Sequence, residues 1–243
     1  MLDGFLIKGI ICDTPQKQLY KAVDDNGTLV LIKTISQEYL NDQSIARLKR
    51  EYDIMCQLES SYAIKPLRFT IRNGFPFLIM EHFDGIPLDL LSLQFNSLSP
   101  VEQLLCKLDV ALWICDALSN VHEQKIIHKN INPSNILVDY GTKSVKLLDF
   151  SLSSQLSFER FEQLEGALEY ISPEQTGRMN RNITFHSDYY SYGISLFKFF
   201  TGTFPFDASS PLEWLNCHIT KKPKSPADLN PSIPGVLAQV ILI

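Results

Sequence analysis

Apolar and polar residues alternate in short runs over the first third of the chain and recur at spacings of three and four beyond it. The opening stretch predicts three strands. Phe5–Cys12 is rich in apolar residues and leads into the turn Asp13-Thr14-Pro15-Gln16. Gln18–Val23 follows, then the hairpin signal Asp24-Asp25-Asn26-Gly27, then Thr28–Ile35 with Lys33 inside it. Gln43–Glu59 carries a helical period through Ile45, Leu48, Tyr52, Met55 and Leu58. Two further strands, near Leu67–Ile71 and Pro76–Glu81, flank the turn Arg72-Asn73-Gly74.

The remainder reads as mostly helical. Ser99-Pro100-Val101-Glu102 combines a capping serine, a proline at the first helical position and a glutamate that completes a capping box. The helix it starts runs to about His122, with Leu104, Leu108, Ala111, Cys115 and Leu118 as its expected buried stripe. Two strand-like runs, Ile136–Asp139 and Ser144–Leu148, flank a turn at Gly141. Leu152–Ala167 is polar and has no clear period. His186–Gly202 is apolar or aromatic on nearly every face, so it predicts a helix buried all round and ended by Gly202. Pro211–Thr220 predicts a short helix, and Ser232–Ile243 the start of another.

Composition sharpens this picture. The 243 residues are 45% hydrophobic and 20% charged, enough for a sizeable core and too apolar for disorder. The formal net charge is −5 with lysines and arginines scattered, so neither nucleic acid nor a membrane surface is an expected partner. The N-terminus lacks a signal-peptide layout and no apolar run is long enough for a membrane span, which gives a cytoplasmic expectation. The five cysteines contain no C-x-x-C pair, and three lie in helix-like apolar patterns; reduced core cysteines are expected.

Candidate chemistry concentrates in Ile126–Ser151. A polar loop, His128–Asn135, precedes the two strand-like runs, and Asp149 closes the second. Mg²⁺ bound to phosphates takes few, well-placed oxygen ligands from the protein, and Asn135 and Asp149 offer such oxygens. Earlier in the chain, Lys33 sits in a predicted strand and Glu51 in the helix 18 positions later. Taken alone, these two read as a solvated lysine and an exposed helical acid. His122 reads as a surface or boundary residue, and His128 as a packed structural one.

The stretches His128-Lys129-Asn130-Ile131-Asn132-Pro133-Ser134-Asn135 and Asp149-Phe150-Ser151 resemble the catalytic loop and magnesium motif of protein kinases, H-R-D-x-x-x-x-N and D-F-G. The resemblance covers nearly the whole chain in the right order. Its wording is closest to the kinase domain that opens some large bacterial multidomain sensors. It implies an α+β, two-lobed fold: a β-rich N-lobe over residues 1–81, a hinge at 82–85 and a mostly helical C-lobe over 86–243, truncated at its C-terminal end. It implies ATP and Mg²⁺ as cofactors, and a protein substrate or signalling partner. Lys33 and Glu51 become a pair that holds the nucleotide's phosphates. Glu81 and Phe83 become hinge positions whose backbone reads adenine, with Met80 guarding the pocket. Asn135 and Asp149 become metal ligands. Asp188 becomes the buried acid that holds the catalytic-loop backbone, and Leu152–Ala167 a mobile activation segment ending in an A-P-E-like Ser172-Pro173-Glu174.

Four departures bear on activity. The glycine-rich loop is absent, so a weak nucleotide site is expected. Asn130 stands where the family has its aspartate base, Asn132 where it has a lysine, and Ser151 where it has the glycine of D-F-G. The expected function is therefore ATP–Mg²⁺ binding with weak or absent phosphotransfer, in a signalling or interaction module. The alternatives are an active Ser/Thr kinase and an inactive remnant. The family also supplies an arginine for Glu174 from helix beyond Ile243. Here Arg178 or Arg181 is expected to substitute, with Val236, Leu237, Val240 and Ile241 partly exposed.

Overall fold

In the computed structural model, which describes residues 4–14, 17–155 and 166–242, the chain divides after Asp84 into two units. The first is built on strands β1 (Leu6–Thr14), β2 (Lys17–Val23) and β3 (Leu29–Thr34), helix α1 (Asp42–Gln57), and strands β4 (Pro66–Arg72) and β5 (Phe75–Glu81). The strands form one antiparallel sheet in the order β1-β2-β3-β5-β4. Both predicted hairpin turns form. The Asp24 carboxylate accepts from the backbone N–H groups of Asn26 and Thr28, each at 2.9 Å, and Gly27 takes φ +79°. Asn73 and Gly74, with φ +48° and +82°, make the second turn. Pro15 and Gln16, the end of the first predicted turn, lie outside the described residues.

The side-chain period of two sorts the sheet's faces. Val30, Ile32, Phe77 and Ile79 pack with Phe5 and Ala22 on one face. Leu31 and Lys33 therefore point to the other, where α1 lies with Leu48, Glu51 and Met55 buried. α1 begins one residue earlier than its apolar period implies. Asn41 caps it by accepting from the Ser44 N–H at 2.9 Å while the Ser44 hydroxyl accepts from the Asn41 N–H, a polar signal outside the apolar pattern.

The second unit runs through β6 (Ile86–Pro87), α2 (Leu88–Gln94), α3 (Pro100–Glu123), β7 (Ile126–Ile127), β8 (Ile136–Asp139), β9 (Ser144–Leu147), β10 (Ser154–Gln155), α4 (Phe185–Thr201), α5 (Pro211–Thr220), α6 (Pro226–Leu229) and α7 (Gly235–Ile241). Strands β6, β8 and β9 form one small sheet, and β7 and β10 another. Helix α4 is its centre. Phe197 and Phe200 are almost fully buried, and burying a phenylalanine contributes about 1.5–3 kcal/mol. Tyr192 ties α4 to α3 by donating its hydroxyl to the Ala111 carbonyl at 2.6 Å. The helix ends at Gly202, whose N–H donates to the Lys198 carbonyl at φ +78°.

Several expectations are corrected. α4 is exposed at His186 and Tyr189 in its first turn. In α3 the buried residues are Val110, Ala111, Ile114, Ala117, Leu118, Val121 and His122, whereas Cys115 is exposed. Cys56 is exposed too, so of the five free cysteines only Cys217 is a core residue. The stretch after Asp149 is not wholly irregular: Phe150–Leu152 forms a single 3-10 turn and Ser154–Gln155 pairs with β7. Residues 156–165 of the expected activation segment lie outside the described residues. At α7, Val236 and Val240 are exposed as expected, but Ile241 is buried, and its carbonyl stands 3.3 Å from where a Cβ on Gly193 would lie. No helix among the described residues is long and apolar enough to cross a membrane.

Candidate functional site

In the first unit, alternation along β3 turns Lys33 inward, and the helical period of α1 turns Glu51 towards it. The Lys33 Nζ donates to Glu51 Oε2 at 2.6 Å, with Lys33 6% and Glu51 0% exposed. Neither is the solvated residue that its type alone suggests. Removing one partner of a buried ion pair is costly, so the pair is tightly constrained. Glu81 closes β5, where its N–H donates to the Lys65 carbonyl at 2.9 Å and its carboxylate accepts from the Lys65 N–H at 3.1 Å. Phe83 is half-buried in the irregular stretch that follows, and Met80 is buried.

In the second unit, one carboxylate organises the loop after β7. Asp188, in the first turn of α4 and fully buried, accepts from the backbone N–H of His128 at 2.8 Å and that of Lys129 at 2.7 Å. It also accepts from His122 Nε2 at 2.8 Å. This overturns the reading of His122 as a surface residue: it is 7% exposed, and its ring stacks on Phe185. The signal that would place it is its position at the end of α3, one face round from Val121, in a helix that leads into the loop. Lys129 is held at φ +65°, a region unfavourable for a side-chain-bearing residue. Its carbonyl accepts from Gln175 Nε2 at 2.9 Å, so the strained residue is tied at both ends.

His128 is fully buried against Phe150, as expected for a packed histidine. Its Nδ1 accepts from the Asn130 N–H at 3.3 Å and its Nε2 donates to the Leu148 carbonyl at 3.0 Å, which selects the neutral Nε2–H ring.

Asparagines crowd the next turn. Asn132 Nδ2 donates both to the Asn130 carbonyl and to Asn130 Oδ1, each at 3.1 Å. Asn132 Oδ1 accepts from the N–H and the hydroxyl of Ser134, capping a 3-10 turn at Pro133–Asn135. Asn135 Nδ2 donates to the Asn130 carbonyl at 2.9 Å, and the Asn135 carbonyl accepts from the Leu148 N–H at 2.9 Å. Asp149 follows at φ +67°, and its Oδ1 accepts from the Ser151 hydroxyl at 2.6 Å. Ser151 thus holds the Asp149 carboxylate.

Two contributors were not foreseen. Gly166, at φ +94°, brings the backbone over Asn130: a Cβ there would stand 3.3 Å from Asn130 Oδ1. Glu174 takes its partner from Ser187, whose hydroxyl donates to Glu174 Oε1 at 2.5 Å. The expected substitution by Arg178 or Arg181 does not occur among the described residues. Arg178 instead donates to Asn216 Oδ1 at 3.1 Å.

The donor chemistry fits a magnesium ion held largely by phosphate. Asn135 and Asp149 offer one amide and one carboxylate oxygen, and no cluster of three or more His, Cys, Asp or Glu residues suited to a metal occurs among the described residues.

Residues 17–234 match the protein kinase domain family. The chain is 31% identical over 218 residues to the probable serine/threonine-protein kinase PknB of Lactococcus lactis, a match covering 88% of this chain and 34% of that protein. It is 29% identical over 217 residues to the serine/threonine-protein kinase PrkC of Bacillus subtilis, covering 88% and 32%. With the serine/threonine-protein kinase PksC of Streptomyces coelicolor it shares 31% identity over 227 residues, covering 87% and 39%. The chain spans about a third of the length of the curated relatives it matches.

Proposed function

The chain belongs to the protein kinase family, and we propose that it binds ATP with Mg²⁺ while transferring the γ-phosphate weakly or not at all, as a signalling or interaction module of the cytoplasm. One observation carries this reading. Asn130, which the catalytic-loop resemblance sets at the position of the family's base, is an amide whose oxygen already accepts from Asn132. An amide oxygen can accept a hydrogen bond from an acceptor hydroxyl but cannot take its proton. Loss of general base catalysis costs about 10²–10⁴ in rate.

The binding half of the proposal rests on the groups that remain. Lys33, oriented by Glu51, presents an ammonium for phosphate oxygens, and the backbone at Glu81 and Phe83 would read adenine. Asn135 and Asp149 would hold the Mg²⁺, which when bound neutralises charge on the transferring phosphate. Without a glycine-rich loop, backbone approach to the phosphates is restricted and the site is weak.

The intact Lys33–Glu51 pair and the Asp188 brace favour a second reading, a Ser/Thr kinase with residual turnover on a protein substrate. Phosphoryl transfer depends mainly on positioning and electrostatics, and these parts supply positioning.

Thermal unfolding with ATP and Mg²⁺ tests the binding half. Binding stabilises by about 2.7 kcal/mol at a hundredfold excess over Kd, so a saturable upward shift is expected at millimolar nucleotide and no shift with Lys33→Met. A parent chain that melts identically with and without ATP–Mg²⁺ is not a nucleotide-binding module.

A further inference from the structure

Helix α3 is apolar on two faces. One faces the core through Val110, Ile114, Ala117 and Val121. On the other, Val101, Leu105, Leu108, Leu112 and Cys115 follow one another at spacings of four, three, four and three. At 3.6 residues per turn this second stripe lies roughly half a turn from the buried one. Val101, Leu105 and Leu112 are 67%, 56% and 63% exposed. Single exposed apolar residues need no explanation, but a contiguous stripe marks an interaction surface. This one has the alternating spacing of a coiled-coil seam.

Charge identifies the occupant. Glu102, Asp109, Asp116 and Glu123 recur every seven residues along one edge of the seam, and all four are exposed. Asp109, Asp116 and Glu123 form no ion pair among the described residues. The opposite edge turns into the packed side of the helix, at Ala111 and Leu118. Charges in this flanking position choose the partner of a coiled coil. A second copy is the wrong partner: antiparallel pairing sets acid against acid, and parallel pairing sets the acids against the packed edge. An anionic membrane is repelled for the same reason.

The geometry points to the outer face of α3 as a docking site for an amphipathic helix of a partner protein, with an apolar heptad seam flanked by lysines or arginines. The site is separate from the loop around Asn130 and does not depend on nucleotide.

The test uses the chain as it stands and a dye-labelled synthetic peptide of four heptads, with a leucine seam and lysines on both flanks. A matched peptide carries glutamates in their place. Fluorescence anisotropy is expected to show the lysine peptide binding about tenfold or more tighter than the glutamate peptide, an advantage that shrinks in molar salt. Asp109→Lys with Asp116→Lys is expected to reverse the preference. Leu105→Ser with Leu112→Ser is expected to weaken both peptides about tenfold or more. All four positions are exposed, so unchanged melting of each variant checks that the fold survives. Equal binding of the two peptides overturns the proposal, as does an unreversed preference or full binding by the serine variant. It is also overturned if sedimentation shows the chain dimerising, or phosphatidylserine vesicles retaining it, through a face that the serine variant abolishes.

Discussion

Asn132 donates its side-chain amide to the side-chain oxygen of Asn130 at 3.1 Å. The two asparagines of the loop, which the sequence resemblance sets at the family's base and lysine positions, thus form one local structure. A carboxylate at position 130 would accept from Asn132 more strongly still, and a hydrogen bond to a charged group is worth about 1.5–3 kcal/mol.

The first prediction follows. Asn130→Asp alone recovers less phosphotransfer than Asn130→Asp with Asn132→Lys, because only the double variant supplies a positive charge near the transferred phosphate. Turnover of the double variant is expected to exceed that of the single one by about tenfold, the rate equivalent of 1.4 kcal/mol. Equal turnover would show that a positive charge at position 132 adds nothing to transfer.

The Lys33–Glu51 pair gives a stability prediction separable from nucleotide. Lys33→Met removes the ammonium that Glu51 Oε2 meets at 2.6 Å in a buried site and is expected to cost about 3–5 kcal/mol in urea unfolding without ATP. Lys33→Met with Glu51→Leu should recover most of that loss, since apolar replacement of both partners of a buried pair is often neutral or stabilising. A double variant as unstable as the single one would mean that the loss comes from packing around Lys33.

His218 gives a pH prediction. The ring is buried, accepts at Nδ1 from the Tyr190 hydroxyl at 2.9 Å and donates from Nε2 to the Leu168 carbonyl at 2.9 Å. Burial pushes its pKa below the ordinary 6.5, against smaller upward contributions from the Leu168 carbonyl and Glu169. The unfolded chain therefore takes up the proton first as pH falls. Stability from this site is complete above pH 6.5 and declines below it until the depressed folded value is passed. Unfolding free energy measured from pH 7.5 down to 5 should fall more steeply in the parent than in His218→Gln. Parallel curves would remove His218 from the acid response.

Much of the fold is legible in the sequence because several signals agree. Asp24–Gly27 and Asn73-Gly74 mark turns by backbone conformation, and Ser99 with Glu102 marks a helix start by side-chain capping; each forms. Helices α2 and α6, with seven and four residues, are too short to show a period. α3 misleads for a different reason. Its outer stripe has as regular a spacing as its inner one, so the period places Leu108 and Cys115 in the core although they share the outer face with Leu112. Periodicity reports that faces exist and not which of two the rest of the chain covers.

The site divides in the same way. Lys33, Glu51 and Asp188 stand out in the sequence only through the family resemblance, since residue type and period alone read the first two as solvated; in the structure β3, α1 and α4 bury all three. Contacts made through the polar ends of side chains leave no periodic trace. Asn132 on Asn130, Ser151 on Asp149 and Ser187 on Glu174 depend on rotamers that spacing does not encode. His122 shows both effects: its place on the buried face of α3 is periodic, while its bond to Asp188 joins residues 66 apart.

The central claim is that nucleotide binding survives in this chain while transfer fails at Asn130. The most direct measurement is transfer of radiolabelled γ-phosphate from ATP to a generic basic protein substrate and to the chain itself, by the parent, by Asn130→Asp and by an Asp149→Ala control. The parent is expected near the control, with Asn130→Asp raised above it by about 10²–10⁴. A parent already turning over at the rate of Asn130→Asp, or an Asn130→Asp variant no faster than Asp149→Ala, would contradict the account.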